Sequence, residues 1–271
     1  MNKLSLKQIL LTLCMLISVS ATAEITAVVG GLKYSFQGNK ATVIGYENLN
    51  LSGGILEIPE TVEWNGLSFD VSEIGNSAFY SCNQIIKLII KYQNVGEDAF
   101  KSCENLEYVD ITGGSVGKRA FRLCTKLKDV KISSYSYIGS FAFNGCTSLE
   151  SVSLNWIYDI YDDAFSNCTN LKWIDFGKNL QRIGSNAFGN CKSLTYVIFP
   201  ETLEQICPYN SVRKWGSSDN YCYPYDAFGN PSYTDYSKSN LPSDYPLIST
   251  NAAFTHSICY LFRKLVLNRS E

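Results

Sequence analysis

The stretch IGNSAFYSCNQIIKLII, residues 74–90, decides how this chain folds, because close versions of it follow five more times. Each version carries an apolar residue, usually Gly, two variable residues, Ala-Phe, two further residues and Cys. The first holds Ile74-Gly75, Ala78-Phe79 and Cys82. The others hold Ala99-Phe100 and Cys103, Ala120-Phe121 and Cys124, Ala142-Phe143 and Cys146, Ala164-Phe165 and Cys168, and Ala187-Phe188 and Cys191. Tyr161 replaces the Gly in the fifth. Successive cysteines stand 21, 21, 22, 22 and 23 residues apart. Three, six and eight positions after every Cys comes an apolar residue, from Ile85, Leu88 and Ile90 to Leu194, Val197 and Phe199. All eighteen positions obey the rule, which chance does not produce.

The sixth and eighth positions share a parity, so they point to one face of a short strand. One strand in every repeat of roughly 20–29 residues is the leucine-rich-repeat plan. The spacing therefore predicts a solenoid with a parallel β-sheet on one face and short helical or irregular return segments. No repeat buries its apolar face alone, so stability becomes a sum of contacts between neighbours. Ala is expected where the return segment approaches the strand, and Phe in the core. Gly after the apolar residue is expected to supply a turn of positive φ, which Tyr161 must solve differently.

The I-G-x-x-A-F-x-x-C-x-x-L-x-x-V-x-L pattern resembles the BspA-like leucine-rich-repeat family of surface proteins. The match is close over residues 74–199 and weaker over 31–71. There, Tyr34-Ser35-Phe36, Ala41 to Ile44 and Ile55 to Pro59 look like the strands that precede the repeats in this family. Asn65-Gly66 signals a hairpin between Val62-Glu63-Trp64 and Leu67-Ser68-Phe69. Residues 24–73 thus read as an N-terminal β cap shielding the open edge of the first repeat. The repeats proper occupy 74–206, including the start of a seventh at Pro200 to Ile206. The resemblance implies a secreted or cell-surface adhesin that engages host proteins or other cells.

Residues 1–23 read as a secretory leader. Lys3 and Lys7 give the positive start, Ile9 to Val19 the apolar core, and Ala21-Thr22-Ala23 the cleavage pattern before Glu24. Cys14 follows Leu13, which is not the small residue that a lipoprotein leader needs. No other stretch has the roughly 18 consecutive apolar residues of a membrane span, so no transmembrane span is expected. After Phe199 the pattern fails. Residues 207–271 read as an irregular C-terminal cap, with Ala227-Phe228 briefly resuming the motif and Pro231 in place of Cys.

Ten cysteines in an exported chain first suggest disulfides. In a stack, however, equivalent residues lie about 4.8 Å apart with parallel side chains. A disulfide brings Cβ atoms to about 3.8 Å with the side chains turned together. The six repeat cysteines are therefore expected as free, buried thiols that pack as small apolar groups. Cys207 and Cys222 bracket a polar loop and could bridge it, leaving Cys259 unpaired. With no C-x-x-C pair and no nearby His, no metal site is expected.

The net charge of −2 offers no basic field for nucleic acid. The single histidine, His256, has no catalytic motif around it. Glycine pairs such as Gly113-Gly114 are turn signals, and no cofactor motif appears. Asp162-Asp163 is the most conspicuous carboxylate pair for glycosidase chemistry. Its positions hold Asn76-Ser77, Glu97-Asp98, Lys118-Arg119, Ser140-Phe141 and Ser185-Asn186 in the other copies, which reads as a solvated face.

If the sixth and eighth positions face inward, the fifth and seventh face outward. There the copies disagree. Tyr108, Trp173 and Tyr196 share the fifth column, beside Lys87. Asp110, Lys131 and Asp175 share the seventh. Exposed Tyr and Trp suit recognition because they offer large area at small entropic cost, although aromatic residues are also good strand formers. The mixed charge suits an extracellular protein or glycan better than a polyanion. The sequence thus points to a non-enzymatic binding module. A glycan-processing enzyme with a carboxylate pair and a purely structural spacer are the competing readings. Partner identity, oligomeric state and anchoring route are not written in it.

Overall fold

The computed structural model describes residues 25–194 and the backbone of two further strands, 196–198 and 205–206. The leader, His256, Cys207, Cys222, Cys259 and the C-terminal cap of the sequence reading lie outside the described residues. The chain opens with a meander of β1 (Ile25–Val29), β2 (Leu32–Gln37) and β3 (Lys40–Tyr46), paired antiparallel in order. A 3-10 turn at Ser52–Gly54 leads into β4 (Ile55–Glu57). A hairpin of β5 (Thr61–Trp64) and β6 (Leu67–Ile74) follows. Its turn is the Asn65-Gly66 pair, with φ of 53° and 77°, the backbone that a two-residue hairpin loop of this composition requires.

The repeats then contribute strands in regular succession. These are β7 (Lys87–Ile90), β8 (Asn94–Val95), β9 (Tyr108–Ile111), β10 (Asp129–Ile138), β11 (Ser151–Ile160), β12 (Trp173–Asp175) and β13 (Arg182–Ile183). Two more, β14 (Tyr196–Ile198) and β15 (Gln205–Ile206), extend the series. A long parallel sheet runs β4–β7–β9–β10–β11–β12–β14. Its first strand, β4, comes from the segment that leads into the repeats: Leu56 pairs with Leu88 as Leu88 pairs with Val109. A second parallel stack forms where the apolar residue of each Ile-Gly pair falls. It runs Val43, Ile74, Val95, Val116, Ile138, Ile160, Ile183 and Ile206. The N-terminal meander is therefore continuous with the solenoid, since β3 lies parallel to β6 and supplies the first rung of that stack.

The core follows the repeat. Every described residue at the third, sixth and eighth positions after Cys is buried, from Ile85 to Leu194. The phenylalanines form a ladder through the molecule. Phe79, Phe100, Phe121, Phe143, Phe165 and Phe188 stack with centroids 5.0–5.3 Å apart and planes within 5° of parallel. That separation suits offset stacking, worth about 0.5–1.5 kcal/mol per pair beyond burial. Tyr46 closes its N-terminal end, 5.6 Å from Phe79.

The return segments are irregular rather than helical, and their bonding shows why. In the first, the N–H groups of Ser77, Phe79 and Ser81 donate to the carbonyls of Glu97, Ala99 and Lys101 in the next coil. Those of Ala78, Tyr80 and Cys82 turn back to Gly75, Ser77 and Phe79. Alternate residues thus bond between coils and within the coil, which a helix cannot do. This needs left-handed backbone twice per segment: before Ala, at Ser77, Asp98, Arg119, Phe141, Asp163 and Asn186, and before Cys, at Ser81, Ser102, Leu123, Gly145, Asn167 and Asn190.

The expectation that the Gly after Ile or Val takes positive φ is wrong. None of Gly75, Gly96, Gly117, Gly139 and Gly184 does. Glycine stands there because coils pack closely. A Cβ on Gly117 would lie 2.5 Å from the Val95 carbonyl oxygen, and one on Gly96 2.7 Å from that of Ile74. Tyr161 occupies the same position with its ring against Tyr137, centroids 5.3 Å apart.

Candidate binding surface

The sheet places the seven predicted site residues in two neighbouring columns, and six of them, all but Tyr196, carry side chains on its outward face. The fifth column runs Ile55, Lys87, Tyr108, Asp129, Ser151, Trp173 and Tyr196. Beside it runs Glu57, Ile89, Asp110, Lys131, Ser153, Asp175 and Ile198. The strand alternation that buries Leu88 and Val109 leaves Lys87, Tyr108, Asp110, Trp173 and Asp175 half-buried and Lys131 exposed. Tyr196 is described by its backbone position alone.

Four of the seven form one cluster. The Lys87 ammonium lies 4.9 Å from the Tyr108 ring centroid, and that of Lys131 5.6 Å away. The Tyr108 hydroxyl donates to Asp110 at 3.1 Å. Partial burial and then the Asp110 carboxylate raise the Tyr108 pKa, while Tyr108 and Asp129 raise that of Lys131. The ring is thus held from three sides. Trp173 stands apart from it, because Asp129 and Ser151 separate the two aromatic rungs. Trp173 and Tyr196 are adjacent. Asp175 accepts the Gly177 N–H at 2.8 Å, so part of its carboxylate holds the turn that ends β12.

The carboxylate pair Asp162-Asp163 is not the solvated face of the sequence reading. Both residues are half-buried and tie one coil to the next. Asp162 accepts the Ser185 N–H at 2.7 Å, and Asp163 accepts the Asn186 amide. Burial raises the pKa of both from the ordinary aspartate value. The repeat cysteines are free: Cys82 to Cys168 are buried and Cys191 half-buried. From the second copy onward each thiol donates to the Phe carbonyl of the preceding coil, at 3.1–3.2 Å. Among the described residues no group of three or more His, Cys, Asp and Glu side chains could hold a metal ion. No helix among them is long and apolar enough to cross a membrane.

Sequence reasoning missed a second aromatic surface. Strands β10 and β11 run ten residues each, past the edge of the long sheet and on to the second stack. Along that edge Tyr135, Tyr137 and Trp156 are exposed. Tyr135 lies 4.8 Å from Trp156 and 6.2 Å from Tyr158 between ring centroids. A signal was present: these two copies insert Ser-Ser-Tyr-Ser-Tyr and Asn-Trp-Ile-Tyr-Asp where the two before them have four residues, Lys91 to Asn94 and Thr112 to Ser115.

A family model described as "BspA type Leucine rich repeat region" matches six copies, over residues 61–156 and 95–210. The matches together span more than half of the chain. No curated protein matches it. Among solved structures, the chain is similar to a leucine-rich repeat protein from Bacteroides ovatus, at 25% identity and a TM-score of 0.43, over 65% of this chain and 54% of that one. The chain thus spans about half the length of that protein. It is also similar to a T. pallidum leucine-rich repeat protein, at 22% identity and a TM-score of 0.41, covering 69% of this chain and 92% of that one. A leucine-rich cell surface protein from Faecalibacterium prausnitzii matches at 17% identity and a TM-score of 0.42, over 68% and 79% of the two chains. The matched residues include all six Ala-Phe and Cys repeats that build the sheets, and the chain belongs to the BspA-type leucine-rich-repeat family.

Proposed function

We propose that this chain is a non-enzymatic, adhesin-like binding module, secreted or held at a cell surface, which engages an extracellular protein or glycan through the outer face of its long sheet. One observation carries the reading. On the same strands the inward columns keep one chemical type in every coil, while the outward columns change, and Tyr108 is held there between Lys87 and Lys131. A rigid aromatic group flanked by charge, on an extended flat sheet, suits recognition more than catalysis. Membership of a repeat family whose proteins are generally non-catalytic supports it. So does the engagement of Asp162 and Asp163 in contacts between coils. Export rests on the leader-like residues 1–23.

The test is an array of extracellular-matrix proteins and glycans probed with the purified chain and with a Tyr108→Ala, Trp173→Ala, Tyr196→Ala variant. Binding through this face predicts at least a tenfold loss of affinity, since a buried aromatic anchor contributes about 2 kcal/mol or more. The fold should persist, because none of the three belongs to the inward columns. Equal binding by the variant removes the proposed face.

A further inference from the structure

We propose that the bulged edge of β10 and β11 is a separate binding site for a neutral carbohydrate, whose sugar ring stacks on Trp156 and Tyr135. The two strands are in parallel register through Ser133 and Asn155, slip, pair once at Ser136 opposite Ile157, and slip back so that Tyr137 meets Asp159. Two residues, Ser134 and Tyr135, therefore oppose Trp156 alone. A bulge of this kind re-aims side chains, and here it brings an indole and a phenol together at 4.8 Å. Neither ring serves the core. Tyr135 is 65% exposed and Trp156 45% exposed.

A second observation sets Trp156 apart from an incidental surface aromatic. Its φ is 66°, a left-handed backbone that is a true outlier for a bulky side chain. Glycine or Asn would satisfy the same turn without that cost, and burial of the indole does not offset it. Backbone strain that packing does not explain is a mark of functional positions.

The chemistry of the edge selects the ligand. Residues 132–138 and 154–158 contain no charged side chain. They offer hydroxyls and an amide from Ser133, Ser136, Tyr137 and Asn155 around the exposed rings. On the adjoining coil, Arg182 is bound to Asp159. An acidic glycan or a nucleic acid would meet no counter-charge from these two stretches themselves. A stable protein contact needs about 800 Å² on each side, more than two five-residue stretches present. A sugar ring fits both features. Its C–H face is weakly positive and meets the negative face of an aromatic ring, while its hydroxyls meet those of the edge.

The experiment uses the purified chain on an array of neutral and acidic oligosaccharides, with dissociation constants and Trp fluorescence measured for each hit. Tyr135→Ala and Trp156→Gly should each weaken binding of a neutral oligosaccharide at least tenfold. Tyr108→Ala, on the sheet face, should leave that binding unchanged, which separates this site from the one proposed above. Trp156→Gly should keep or raise the melting temperature, because glycine accepts the left-handed backbone, so its loss of binding is not unfolding. The proposal is overturned if no neutral oligosaccharide binds, if the edge recognises only acidic glycans or a protein, if both edge variants bind as before, or if Tyr108→Ala weakens binding equally.

Discussion

At Gly117 a single methyl group would collide with the carbonyl oxygen of Val95, 2.5 Å away, so the smallest side chain is fixed by the coil beneath it. The left-handed positions of the return segments, before Ala and before Cys, obey a different rule. Asn, Asp, Ser or Gly fills most of them, as their tolerance of this backbone predicts, whereas Leu123, Phe141 and Arg119 hold it only because the bonds between coils demand it. The cysteines show what burial does to chemistry. Desolvation pushes the thiols of Cys103 and Cys191 up to about 12 and those of Cys124, Cys146 and Cys168 well above their ordinary value of about 9. Below about pH 9 both folded and unfolded chains keep these protons, and the thiols make stability independent of pH. Above it the unfolded chain ionises while the folded one does not. Stability then falls as pH rises, until the folded thiols ionise in their turn. We expect the unfolding free energy from denaturant titrations to fall by about 1.4 kcal/mol per buried thiol between pH 8 and pH 10. Cys146→Ala should remove one thiol's share of that slope. A flat profile across this window would show that the thiols are not buried.

At the scale of the element, the coils are held together by three ladders of different physics, two running throughout and the third over part of the stack. The strands exchange backbone hydrogen bonds, the phenylalanines stack, and a charged column adds register. In that column Lys128 meets Glu107 at 2.8 Å and Lys172 meets Glu150 at 2.9 Å, with the sign alternating along the stack. These ion pairs are exposed, so they contribute little energy, but a slip of one coil would set like charges together. The Phe ladder contributes far more. Phe121→Ala opens a cavity between Phe100 and Phe143 and breaks two stacks at once. Its expected cost is about 3–5 kcal/mol, read from chemical denaturation against the parent chain. A cost below about 1 kcal/mol would mean that the rings do not bear on one another. This ladder was legible beforehand, since Ala-Phe recurs at fixed spacing. The bulge that pairs Tyr135 with Trp156 was not, because where two ten-residue strands slip and regain register depends on how they pair across the sheet.

Over the whole molecule, stability passes from coil to coil, and the ends must be closed. The N-terminal end is closed twice: β4 begins the long sheet, and β3 with Tyr46 covers the second stack and the last ring of the ladder. Removing residues 25–46 should uncover Ile74 and Phe79 and leave β6 with an open edge. The shortened chain is expected to self-associate on size-exclusion chromatography and to melt at a lower temperature. A monomeric product of unchanged melting temperature would show that the meander is not a cap. The repeat by itself determined the stacking, the inward residues and the free thiols, because a side chain that recurs every 21–23 residues must meet its own copies. Only the tertiary structure decided where the left-handed residues fall, why the glycines are needed, which outward groups touch Tyr108, and that a second aromatic edge exists. Those features arise from contacts between one coil and the next, and the distance between two backbones is not encoded in the order of residues along either one.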